Sequence, residues 1–284
     1  MYTFYIFVPL KPRLITLMVV DAMPVEENTT IKTIVDKIAF NVKNYNLENK
    51  RYNIDYHRFI RYRSNGIKKE NGLSNWLKKS EASNSMFIFL SNFNMNARAS
   101  KLVEITTFHM NVQKILKNID VDYLNCFDIS VSPLSVQCGT STVADELKKL
   151  FNYCASPGIF SNSGGFVIGS KVIHCIFPHI CPMIDAHHIG ISLNRIHADD
   201  YFPPGNSWKD YLGYSPIGKL NPSTQGAGRN SWKDDQFLCS IGFYSRIYQQ
   251  WQKDNGEPGI DAFLKLDVRN HCSGIPRILE KALW

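Results

Sequence analysis

The residues best equipped for chemistry lie between positions 164 and 197. Lys171 and Asp185 stand 14 positions apart. A lysine becomes a nucleophile once its amine is neutral, and a carboxylate can stabilise developing positive charge or take a proton. Gly164, Gly165 and Gly169 come first and allow a tight hairpin with positive φ. The spacing predicts a helix that starts near Ser170, with the amides of Gly169, Ser170 and Lys171 free to bind an anion. That helix must stop before Pro178. Pro182 marks a further turn, and Asp185 takes the cap position of a helix over 186–197. One helix and one turn thus separate Lys171 from Asp185, a connection that can bring both to one end of the hairpin. Plainer roles stay open: Asp185 as a helix cap, Lys171 as a surface lysine or phosphate contact, and His187 and His188 as pocket residues or helix surface. His174, His179, His187, Cys175 and Cys181 are close in sequence, but their spacings match no standard zinc pattern, so no metal is expected.

The elements that must hold these residues are mainly helical. Residues 96–284 read as a helical domain with the hairpin at 160–197. Its helices are expected over 97–119, over 141–154 with Ser141 or Thr142 as cap, over 234–253, and in two short segments over 260–266 and 276–284. Residues 201–230 carry four prolines and five glycines and read as a long loop. Residues 1–95 read as a mixed α/β lobe. Three aromatic and β-branched runs, 2–9, 14–20 and 86–90, suit strands. Ile31, Ile34, Val35, Ile38 and Val42 at helical spacing predict a helix over 29–44.

Charge is uneven. Residues 1–100 hold 15 Lys and Arg against 8 Asp and Glu, whereas the rest of the chain balances at 17 of each. Much of the surplus falls in 51–79, where Arg58, Arg61 and Arg63 are interleaved with Tyr52, Tyr56, Phe59, Tyr62 and Trp76. Cations beside aromatic planes suit a phosphate backbone and stacked bases. A solvated surface with its aromatics turned inward is the competing reading. The apolar run 14–20 is too short to span a membrane, and Lys11, Pro12 and Arg13 argue against a cleaved leader. Seven scattered cysteines without a Cys-x-x-Cys pair predict reduced thiols and a cytoplasmic protein.

Gly169-Ser170-Lys171, the apolar run 172–177, Ile184-Asp185-Ala186-His187 and Arg195 together resemble the helix-hairpin-helix DNA glycosylase superfamily, which includes the endonuclease III and 8-oxoguanine glycosylase branches. The match covers about 30 residues. The connection from lysine to aspartate is roughly four residues shorter than in those branches, about one helical turn. The hairpin reads Phe166-Val167-Ile168-Gly169, and the four-cysteine cluster of the endonuclease III branch has no counterpart.

The resemblance implies a glycosylase-like helical core that flips a damaged or modified base out of double-stranded DNA and excises it. Asp185 and Lys171 would be catalytic. Gly165, Gly169 and Ser170 would hold the DNA through the hairpin, and His187 and His188 would line the base pocket. In bifunctional relatives the lysine attacks the sugar as a neutral amine, and in monofunctional ones water attacks. A monomer without cofactor is expected. The unfamiliar N-terminal third suggests a specialised role such as defence against phage DNA. Two rivals remain: a non-catalytic nucleic-acid-binding protein that keeps the hairpin as a phosphate grip, and a regulatory module with no nucleic-acid role.

Overall fold

The computed structural model describes residues 29–93, 95, 101–131, 137–138, 141–184, 233–267 and 274–284. Of these, 73% are helical, which makes the protein mainly α. Eleven α-helices are described: α1 Thr29–Glu48, α2 Lys50–Lys69, α3 Leu73–Leu77, α4 Ser80–Asn92, α5 Ile105–Asn118, α6 Val121–Leu124, α7 Val143–Ala155, α8 Phe166–Ile176, α9 Lys233–Asp254, α10 Ile260–Leu264 and α11 Ile275–Leu283, with one 3-10 turn at Ile129–Val131. The strands among the described residues are β1 Gln137–Cys138 and β2 Ser141–Thr142, one antiparallel pair with Cys138 opposite Ser141.

Helical periodicity explains most of this. In α1, Ile31, Val35, Ile38, Val42 and Tyr45 are buried at steps of three and four. In α7, Leu147, Leu150, Phe151 and Cys154 do the same, and Thr142 caps the helix in a reciprocal box with Asp145. The strand expected at 86–90 is instead the second half of α4. Met86, Phe89 and Leu90 are buried while Ile88 is 60% exposed, a period of 3.6 and not 2. Phe89 stacks on Phe59 of α2 at 4.6 Å, so packing between two helices settles a run whose composition also suits a strand. The other two expected strands, 2–9 and 14–20, lie outside the described residues.

Residues on both sides of the expected boundary at 95 share one apolar core. Asn41 of α1 donates to Ala282 O of α11 at 2.7 Å, and Tyr56 of α2 bonds His174 of α8 at 3.0 Å. Cys126, Cys154, Cys175 and Cys181 are free thiols. No helix among the described residues is long and apolar enough to cross a membrane.

Candidate functional site

The site is built on the hairpin from α7 to α8. α7 ends at Ala155, and the chain returns through a loop that Gly164 and Gly165 close. Gly164 has φ +61°, and a Cβ there would collide with Ala155 O. Gly165 has φ +116°, and its amide donates to Ala155 O at 2.6 Å. Only glycine takes both conformations without strain.

α8 starts at Phe166, four residues before the expected start at Ser170. The cause is packing. Phe166 lies 5.2 Å from the Phe151 ring and 6.4 Å from the Phe237 ring, so the chain is already helical when it enters the core. Gly169 is therefore a helix-interior residue. Its amide donates to Gly165 O at 3.1 Å, and its bare Cα lets α8 approach Ala155 and Phe151. Ser170 and Lys171 fall in the second turn, where the helix itself uses the backbone amides. The expected anion cradle at Gly169, Ser170 and Lys171 is thus not formed, and the Gly165 amide is also engaged. The unused helical amides belong to Phe166, Val167 and Ile168.

Lys171 points inward and is only 7% exposed. Its Nζ lies 5.7 Å from the centre of the Phe93 ring, and Arg277 of α11 lies 5.8 Å from the same ring. Glu280 of α11 is within electrostatic range of Lys171. Burial raises the Glu280 carboxyl's proton affinity while Arg277 opposes that rise. The surface-lysine reading is set aside by this burial.

Beyond α8 the chain turns at Pro178 and runs back along the helix. Two side chains one turn apart fix the return. His174 bonds Cys181 O through Nδ1 at 2.6 Å, and Ser170 Oγ accepts from Ile184 N at 3.1 Å. Cys181 O can only accept, so Nδ1 carries the proton and Nε2 takes the hydrogen of Tyr56. Burial holds the His174 imidazole neutral, with its pKa lowered to about 3. The return segment is thereby registered against α8, and Ile184 reaches the level of Ser170. Asp185, His187 and His188 lie outside the described residues.

The three arginines do not converge on one surface. Arg63 is 3% exposed and sits at the C-terminal end of α8, donating from Nε to Cys175 O at 3.1 Å and from Nη2 to Ile176 O. It neutralises carbonyls that the helix leaves unbonded and is not a DNA contact. Arg58 and Arg61 are exposed on the opposite side of α2.

The sequence reading missed a buried ionic cluster behind Lys171. Arg277, fully buried, donates to Glu280 Oε1 at 2.6 Å and to Tyr45 OH at 2.9 Å, with its guanidinium 4.9 Å from the Tyr56 ring. Lys281 pairs with Asp267, and Asn46 bonds both. The 276–284 run showed these charges only as helical spacing, with nothing to say that both faces would be covered. His174, His179, Cys175 and Cys181 form no metal-binding group among the described residues.

No protein-family model, no curated protein and no solved structure matches this chain.

Proposed function

We propose that the chain is a DNA glycosylase that acts on a damaged or modified base in double-stranded DNA. The observation that carries the reading is the register of the return segment on α8. Ile184, which precedes Asp185, is bonded to Ser170, which precedes Lys171. A short backbone path thus links the two residues that the family resemblance makes catalytic, and it is tied at its base by a buried hydroxyl.

In this reading the target nucleotide leaves the duplex so that its sugar carbon can be reached. The glycosidic bond breaks, the electron pair departs with the base, and the sugar becomes oxocarbenium-like. Asp185, ionised, stabilises that charge. Water completes a simple hydrolysis. Alternatively the neutral amine of Lys171 adds to the sugar carbon and forms a Schiff base, and strand cleavage follows.

The non-catalytic phosphate-grip reading has less to stand on, because the amides it would use at Gly169, Ser170 and Lys171 are inside α8. The test is incubation with duplexes that carry different modified bases, followed by alkali to reveal abasic sites. Base release by the native chain, abolished in Asp185→Asn with duplex binding retained, is expected. Release that survives Asp185→Asn overturns the mechanism. Borohydride trapping that disappears in Lys171→Gln identifies the lyase route.

A further inference from the structure

The basic residues of α2 divide cleanly between two faces. Tyr56, Phe59, Ile60 and Arg63 are buried against the core. Successive residues turn by about 100°, so Arg58, two positions after Tyr56, points the opposite way, as does Arg61. Arg51, Lys68 and Lys69 continue the same outward face, and Tyr62 is 46% exposed among them. Against these cations α2 sets one acid, Asp55, which lies 4.0 Å from Arg58, whose side chain stays 78% exposed. Glu70 just beyond the helix is shared between Lys69 and Lys79.

We propose that this outward face of α2 is a docking surface for the phosphate backbone of nucleic acid, separate from the α8 site. The inference shares with the glycosylase reading only its polyanionic partner. Charge complementarity carries it. The positive surplus of the chain falls in its first hundred residues, and α2 presents much of it as an exposed row. From Arg51 to Lys69 the row runs about 27 Å, or roughly eight base-pair steps of about 3.4 Å. Tyr62 in the row supplies an aromatic ring and a hydroxyl for sugar, base or phosphate. Because Tyr56 and Arg63 hold the opposite face of α2 against α8, a polymer on the outward face does not lie over Lys171. The face grips a stretch of nucleic acid away from the nucleotide that would be processed.

The test is fluorescence anisotropy with an undamaged labelled duplex between about 50 and about 200 mM salt. Arg58→Gln combined with Arg61→Gln is expected to weaken binding about 10-fold and to lower the salt slope by about 1.8, two phosphate contacts at about 0.9 each. Lys114→Gln combined with Lys117→Gln removes the same net charge from exposed positions on α5 and is expected to leave affinity and slope near native. Equal effects of the two pairs, or no effect of the α2 pair, overturn the proposal. So does a native chain that ignores the duplex but binds phosphatidylserine vesicles through the same arginines. If the α2 pair loses duplex affinity while the native chain releases no base from any substrate, the docking face stands and the glycosylase reading fails. If base release is present but duplex affinity is indifferent to the α2 pair, the reverse holds.

Discussion

Ser170 and Ile184 are joined through one hydroxyl. Ser170 Oγ accepts from Ile184 N at 3.1 Å while its hydrogen serves Val167 O at 3.0 Å, with Ile184 O at 3.4 Å as a second acceptor. The bond between Ser170 and Ile184 lies where solvent cannot replace it, since both residues are fully buried. A buried amide without its partner costs about 1–3 kcal/mol. Ser170→Ala is therefore expected to lower stability by about that amount and to speed exchange of the Ile184 amide. Hydrogen exchange read at Ile184 checks it. If the glycosylase reading holds, base release falls more than duplex affinity does.

Arg63 and Arg58 sit five residues apart on one helix and are expected to behave oppositely. Arg63→Met leaves the carbonyls of Cys175 and Ile176 without their donor in a buried setting, and a loss of about 3 kcal/mol is expected. Arg58→Gln removes an exposed charge and is expected to change stability by less than about 0.5 kcal/mol. Urea denaturation of the two variants makes the comparison.

His174 sets a pH dependence. The folded chain keeps its imidazole neutral down to about pH 3, whereas an unfolded chain protonates histidine near pH 6.5. The stabilisation is complete above the unfolded value and is lost as pH falls. The rate is about 1.4 kcal/mol per unit, or roughly 2 kcal/mol by pH 5. Denaturation midpoints measured from pH 7.5 down to pH 5 are expected to fall in the native chain and less steeply in His174→Gln.

Gly164 and Gly165 separate strain from collision. Gly164→Ala meets both a left-handed φ and Ala155 O, with an expected cost of roughly 2–4 kcal/mol. Gly165→Ala meets the backbone strain but nothing within 4 Å, with an expected cost of about 1–3 kcal/mol. Thermal unfolding of the pair distinguishes them.

Helix content was legible in part of the sequence, whereas α4 was expected as a strand over 86–90 and α2 was not expected as a helix, although each buries one apolar face. α1, α7 and α9 fall close to their expected spans because a repeat of three and four leaves one face to bury, whereas α5 starts at Ile105, eight residues after the expected start at 97, with Leu102 bridged to Ser161 instead. The Gly164–Gly165 hairpin and the stop before Pro178 were legible too, since both follow from backbone sterics within a few residues. Tertiary contact decided the rest. An apolar run such as 86–90 carries no period of its own, and packing against neighbouring helices, through Phe59 of α2 and Phe108 of α5, made it helix. The start of α8 depended on Phe151 and Phe237, far from it in the chain. Arg58 and Arg63 look alike in sequence. Only the placement of α8 beside one face of α2 turns Arg63 into a buried cap and leaves Arg58 in solvent. The same holds for Lys171, whose sequence neighbours gave no sign of Phe93, Arg277 or Glu280. Local patterns report what a residue can form with its neighbours along the chain, whereas burial and charge partners depend on which distant helix covers it.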